Sequence, residues 1–141
     1  MSQNLGNELF KQMQEAGYID QNNQFKSGML FNEEGKRLFI KQVSPKKSPI
    51  NTADVFFQYS HVVSVGGKLK SDPGVVLGFD LKNQTIHPLL YRNDLLDHSI
   101  HVYEKGEFNE GSAVWLLEYW ATWFDEIKAN HYVPEVHLKT A

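Results

Sequence analysis

A run of alternating side chains from Ala53 to Val65 constrains the fold more than any other feature of the sequence. One face of this run is apolar apart from a single histidine: Val55, Phe57, Tyr59, His61, Val63 and Val65. A period of two residues is that of a β-strand, and here it predicts a strand with one covered face. A strand of this kind needs antiparallel neighbours and a layer that covers its apolar side.

Further strands are predicted on both sides of this run. Gly66-Gly67 supplies a tight turn, and alternation resumes over Val75–Leu81. The segment between them, Lys68–Gly74, is predicted to be a loop or a short strand. A hairpin and two later strands complete the set: Phe25–Phe31 with Lys36–Val43, then Thr85–Arg92 and His98–Glu104. Two prolines predict a loop over Ser44–Asn51.

Helical spacing appears at the two ends of the chain. The C-terminal pattern places one apolar stripe on a helix that Asn109 or Ser112 can cap: Ala113, Leu116, Leu117, Trp120, Phe124 and Ile127. The N-terminal pattern is shorter, and Gly17 is a natural end for it: Leu5, Leu9, Met13 and Ala16.

These elements predict a single α+β domain over residues 1–141. We expect a curved antiparallel sheet of five to six strands, with an N-terminal and a C-terminal helix packed on one face. The predicted parts are a helix over 1–17, the sheet over 25–105, a helix over 110–130 and a tail over 132–141.

Composition excludes several classes of protein. The chain has no cysteine, which excludes disulfides, thiolate metal clusters and cysteine nucleophiles. Its aromatic share of 13% is unlike that of a disordered segment. No N-terminal leader and no apolar run near twenty residues is visible, so we expect a cytoplasmic protein with no membrane partner.

No motif for a cofactor is present. The sequence lacks a phosphate-binding loop, a Gly-x-Ser-x-Gly elbow and a His-Glu-x-x-His pair. His98 and His101 are three residues apart in a predicted strand, which directs them to opposite faces. We therefore expect no cofactor and no metal.

His61 and Asp72 are the candidate catalytic residues. A buried imidazole tends to stay neutral, which suits a general base, and a loop carboxylate could orient it. The structural alternative is a histidine at the edge of the core and an aspartate that fixes its own turn. The spacing names no nucleophile, so the structural alternative is favoured for both residues.

Charge is unevenly distributed along a chain whose net charge is −3. The segment 35–71 has a net charge of +6, and the remainder has −9. The candidate basic patch for binding consists of Lys36, Arg37, Lys41, Lys46 and Lys47. Phe25, Phe31 and Phe39 could interleave with it to stack bases. Alternatively, these lysines protect an edge hairpin from aggregation.

Trp115 and Tyr119 lie one turn apart on the C-terminal helix, beside its apolar stripe. They could anchor a protein partner, since large aromatic residues dominate binding hot spots. Alternatively, they cover the sheet edge or the N-terminal helix.

A block of the chain resembles a bacterial domain family of uncharacterised function found largely on plasmids and integrative elements. The shared pattern is Ser-His, a glycine turn and Asp-Pro, here SHVVSVGGKLKSDPGVVLGF. The resemblance continues through PLLYRND, HVYEKG and a closing tryptophan helix that ends in KANHY, and it covers roughly residues 36 to 132. Val62-Val63 and Lys68 depart from the family pattern. The resemblance implies an α+β accessory protein of mobile DNA or its host.

The leading hypothesis is a non-enzymatic binding protein with a protein partner, in the role of an accessory or counter-defence factor of a mobile element. The alternative is a small hydrolase or nuclease in which His61 is the base, oriented by Asp72 and by His101. A third hypothesis, less favoured, is weak nucleic-acid binding by the basic hairpin. The oligomeric state is left open.

Overall fold

Seven antiparallel strands form one sheet in the part of the chain that the computed structural model describes, residues 2–44 and 53–134. In chain order the elements are α1 (Ser2–Glu15), β1 (Gly28–Phe31), β2 (Arg37–Val43), β3 (Val55–Val65), β4 (Lys68–Asp80), β5 (Thr85–Asn93), β6 (His98–His101), β7 (Tyr103–Glu104), β8 (Glu107–Phe108), α2 (Glu110–Ala129) and β9 (Val133–Pro134). The spatial order is β6-β5-β4-β3-β2-β1-β9, and β7 and β8 form a separate small hairpin.

The architecture confirms the predicted α+β class, but the sheet is larger than the five to six strands expected. The additional strand is β9, which pairs with β1 through Phe31 and Val133. It arises from the start of the segment that was expected to be a tail. Because β1 is flanked by β2 and β9, the β1–β2 hairpin is not at the edge of the sheet.

The central hairpin of β3 and β4 is longer than the sequence suggests. Gly66 and Gly67 have φ of 59° and 80°, which suits the tight turn between the strands. Strand β4 then runs without a break through Lys68–Gly74, where a loop or short strand was expected. Its register with β3 shifts between Ser60 and Val62, so His61 lies opposite the two residues Asp72 and Pro73, which are joined by a cis peptide bond.

Both helices cover the same face of the sheet. Phe10 of α1 packs edge-on against Phe79, with ring centroids 6.3 Å apart. Trp120 of α2 packs on Tyr59, with centroids 4.8 Å apart. The predicted stripe on α2 is confirmed, since its six residues are the buried residues of this helix. Burial of this aromatic layer stabilises the packing of both helices on the sheet.

The ends of the helices follow the predicted signals. The Asn109 side chain accepts a hydrogen bond of 2.9 Å from the Ser112 amide and caps α2. Gly17, with φ of 83°, follows the end of α1. Neither described helix combines the length and the apolar character that crossing a membrane requires.

Candidate functional site

Three polar side chains form a row on the helix-covered face of the sheet, next to the edge of the hydrophobic core. His61 follows Tyr59 by two residues on β3, and Asn93 follows Tyr91 by two on β5. Tyr59 and Tyr91 belong to the core under the helices. Asp72 on β4 lies between the two strands. We call His61, Asp72 and Asn93 the polar row.

The imidazole of His61 is half-buried and is bonded to the backbone. Its Nδ1 lies 2.9 Å from the main-chain oxygen of Asp72. A carbonyl oxygen only accepts, so Nδ1 carries the proton and donates. In the neutral ring, Nε2 then holds the lone pair, and it has no hydrogen bond to any described residue. With this arrangement, Nε2 can act as a base or accept a hydrogen bond.

The carboxylate of Asp72 is held by a different partner. Its Oδ1 accepts a hydrogen bond of 2.8 Å from Nδ2 of Asn93, which is buried. The structure therefore brings His61 and Asp72 together, but through the backbone of Asp72. The carboxylate is oriented by Asn93, a residue that the sequence did not single out.

An aromatic cluster on the flank of α2 borders the polar row. Trp115 stacks on Tyr119 at a centroid distance of 5.2 Å and is 41% exposed. Tyr91 contacts both rings edge-on, each at 5.2 Å. Trp123 continues the series one turn further, 6.4 Å from Tyr119. Contacts on several sides hold these rings in place and leave Trp115 partly open to solvent.

Electrostatics connect the aromatic cluster with the polar row. Burial, followed by the nearby Tyr91 phenol and the charges of Glu126 and Asp72, raises the pKa of Tyr119 to about 12. The phenol is therefore neutral near pH 7 and remains a donor. Asp72 acts on it because the two side chains lie on the same side of the sheet. We call Tyr91, Trp115, Tyr119 and the polar row together the α2 flank site.

The basic candidates lie elsewhere. Arg37 and Lys41 flank Leu38 and Ile40, which face the helices, so their own side chains project from the opposite face. Lys36 is exposed in the turn before β2. The structure does not bring these residues to the α2 flank site. Lys46 and Lys47 lie outside the described residues.

The aromatic residues expected to interleave with the basic patch are differently placed. Phe25 stacks on Phe57 at 4.5 Å and packs against Phe79, so its ring packs against the core. The expectation for Phe25 was wrong because its ring packs on Phe57 and Phe79 of the core, whereas Arg37 and Lys41 project from the opposite face. Phe31 and Phe39 are half-buried.

His98 and His101 are directed to opposite sides, as their spacing predicts. His98 packs edge-on against Tyr91 at 5.9 Å, on the helix side. His101 pairs with Leu90, and its Nε2 lies 3.4 Å from the Ser99 hydroxyl. His101 therefore does not join His61. Across residues 2–44 and 53–134, no group of three or more acidic or histidine side chains could hold a metal ion.

Asp94, directly after the end of β5, holds β4 in place next to the polar row. We call its contacts with Ser71 and Arg92 the carboxylate clamp. Asp94 accepts from the Ser71 amide at 2.8 Å and forms an ion pair of 2.8 Å with Arg92. The Ser71 amide and the Arg92 guanidinium outweigh partial burial and lower the pKa of Asp94. Beside it lies an open cleft of about 550 Å³ lined by Arg92, Asp94, His98 and His101, among others. The clamp fixes β4 against the β5–β6 turn and thereby positions Asp72.

The sequence signal for the missed residues was present but weak. Tyr91 and Asn93 alternate on β5, which places them on one face. Only the pairing of β4 with β5 brings that face next to Asp72.

In comparisons with known proteins, no family model, no curated protein and no solved structure matches this chain.

Proposed function

We propose that this protein is a non-enzymatic binding module that engages a protein partner through the α2 flank site. The observation that carries the proposal is Trp115, a tryptophan that is 41% exposed yet is supported by Tyr119 and Tyr91. Rigid, partly exposed aromatic residues are typical anchors of protein interfaces. The accessory role for a mobile element stays a prediction from the resemblance.

The separation on α2 between the buried stripe and the exposed Trp115 supports the proposal. The buried stripe of the helix already covers the sheet, and Trp120 and Phe124 in it are fully buried. Trp115 lies outside that stripe. Its large ring is therefore not required to fill the core, while the polar row beside it offers hydrogen-bonding groups in fixed positions. An aromatic anchor with a polar border is the usual composition of an interface.

The test is retention of a partner from host lysate by the tagged protein and by its Trp115→Ala variant. We expect retention to fall about tenfold or more, because loss of a hot-spot residue costs about 2 kcal/mol of binding. Thermal unfolding of the variant should stay close to that of the parent, because the ring is outside the buried stripe.

Phe108→Ala is the matched control, since Phe108 is an exposed aromatic residue on the separate β7–β8 hairpin. It should leave retention unchanged. Equal retention by the parent and by Trp115→Ala, or equal losses in both variants, would contradict the proposal.

An enzymatic function with His61 as base is the second candidate. The Nδ1 contact to the Asp72 carbonyl favours it, because this contact directs the lone pair to Nε2. The neighbouring Ser60 hydroxyl does not supply the nucleophile: it is buried and bonded to Ser71 at 3.1 Å. Water would have to be the attacking group.

Hydrolysis of bis-p-nitrophenyl phosphate and p-nitrophenyl acetate tests this second candidate. A rate above buffer that His61→Gln abolishes would support it, with Phe108→Ala as the unaffected control. Rates equal to buffer in the parent and in both variants would remove it for these two ester classes.

A further inference from the structure

The carboxylate of Asp72 has one oxygen, Oδ2, without a partner among the described residues. Asn93 occupies Oδ1, and no described residue forms a hydrogen bond or an ion pair with Oδ2. The ion pairs within residues 2–44 and 53–134 are Arg92 with Asp94 and Lys128 with Asp125. Asp72 thus presents an oriented, uncompensated carboxylate beside aromatic rings.

A second carboxylate acts on the aromatic cluster. Glu126 acts on the Tyr119 phenol with the same sign as Asp72. The basic residue in the last turn of α2, Lys128, is already engaged, by Asp125 at 3.2 Å and by the Phe124 ring at 5.3 Å. The two carboxylates that act on Tyr119 therefore favour a positive charge beside its ring.

The rings themselves favour the same sign. The face of an indole or phenol ring carries negative charge density and attracts a cation within about 6 Å. Trp115 is the most exposed of these rings, and its stacking on Tyr119 holds it in one orientation. A planar guanidinium can stack on such a ring and at the same time donate to a carboxylate, which a compact ammonium does less well.

We propose that the α2 flank site receives an arginine side chain of the protein partner, stacked on Trp115 and paired with the free oxygen of Asp72. This inference rests on the proposed function and names the chemistry of its partner. An acidic peptide would meet Asp72 and Glu126 and is disfavoured by charge.

The probe is N-acetyl-argininamide, with N-acetyl-citrullinamide as its neutral isostere. Binding is followed by the indole N–H resonance of Trp115 in the ¹⁵N-labelled full chain, assigned with Trp115→Phe. We expect a saturable shift in the millimolar range with the arginine probe, weakening with added salt. The citrulline probe should bind at least about fivefold more weakly, because it lacks the charge that pairs with the carboxylate.

Two variants locate the contact. Asp72→Asn should raise the Kd of the arginine probe about fivefold while keeping the bond from Asn93. Glu126→Gln should raise it by a smaller factor, and this exposed position remains informative if Asp72→Asn does not fold. Glu8→Gln on α1, which packs at the other end of β5, should leave the Kd unchanged.

Absence of a shift with the arginine probe, or equal binding of the two probes, overturns the inference. If either of these results is obtained while Trp115→Ala still loses its partner in the retention assay, the proposed function stands. Only the inference that the partner contributes an arginine is then wrong. A shift that is insensitive to both acidic variants also overturns the inference.

Discussion

Asp94 and Ser71 are joined by two hydrogen bonds. The Ser71 amide donates to Asp94 Oδ2 at 2.8 Å, and the Asp94 amide donates to the Ser71 carbonyl at 2.8 Å. One link uses the side chain and the other the backbone. Together they tie the β5–β6 turn to the start of β4, where Asp72 follows Ser71 directly.

We therefore expect Asp94→Ala to lower the free energy of unfolding by about 2 kcal/mol, because the Ser71 amide and Arg92 both lose a charged acceptor. Urea unfolding at neutral pH measures it. The control is Asp97→Asn on the same turn, an exposed residue whose φ of 50° asparagine also tolerates. A loss from Asp94→Ala no larger than that of the control would contradict the clamp.

Acid should weaken the fold through the same carboxylate. The pKa of Asp94 is lowered in the folded state, chiefly by the Ser71 amide, and that of Asp80 chiefly by the Asn83 side chain. A lowered pKa gives stability that is present above the unfolded value of about 3.9 and is lost as pH falls through the folded value. The stability gap between the parent and Asp94→Ala should thus shrink from pH 7 to about pH 3. A gap that stays constant would contradict this linkage.

The tautomer of His61 is directly observable. Since Nδ1 donates to the Asp72 carbonyl, the neutral ring should carry its proton on Nδ1. Long-range ¹H–¹⁵N correlation spectra at about pH 8 distinguish the two tautomers, and the exposed His101 serves as the comparison. A neutral His61 protonated mainly on Nε2 would mean that the bond to Asp72 does not form in solution.

Gly6 allows α1 to approach β5 closely. A Cβ at this position would lie 2.6 Å from the Thr85 hydroxyl and 2.9 Å from the Ile86 carbonyl oxygen. We expect Gly6→Ala to destabilise the fold by about 1–3 kcal/mol despite the better helix propensity of alanine. Gly111→Ala in the first turn of α2 is the control. A Cβ at this position would lie 3.4 Å from Oδ1 of Asn109. Thermal unfolding in which Gly6→Ala matches the parent would show that α1 lies further from the sheet.

Tyr59 is fully buried, and its hydroxyl has no hydrogen-bond partner among the described residues. Burial also raises its pKa, followed by the effect of Tyr18. Tyr59→Phe removes a polar group whose desolvation is uncompensated and keeps the ring on Trp120, so we expect stability to stay equal or rise by about 1 kcal/mol. Tyr59→Ala should instead lose about 3 kcal/mol or more. A clear loss of stability in Tyr59→Phe would reveal a partner for the hydroxyl.

Local periodicity was sufficient for the elements whose neighbours are close in sequence. The stripe on α2, its cap at Asn109 and the strand over Val55–Val65 follow from spacing and capping chemistry alone. These features depend on contacts within a few residues. The class of fold then follows from the order of the elements.

Longer-range pairing decided the features that were missed. A loop or short strand was predicted over Lys68–Gly74, yet β4 continues there because the register shift opposite His61 accommodates two residues against one. Strand β9 needs β1 as its partner, about a hundred residues away along the chain. The α2 flank site joins Asp72, Asn93 and Tyr119 from three elements, so no local pattern could reveal it.

The meander order of the sheet also shapes how a nascent chain matures. Strands β1 to β6 leave the ribosome before α2, although Tyr59 and Tyr91 on their inner face pack against Trp120 and Tyr119 of α2. During that interval an aromatic surface is open to chaperones and to aggregation. Arrival of the tryptophan-rich helix closes it, so the same late segment that completes folding also creates the surface available to a partner.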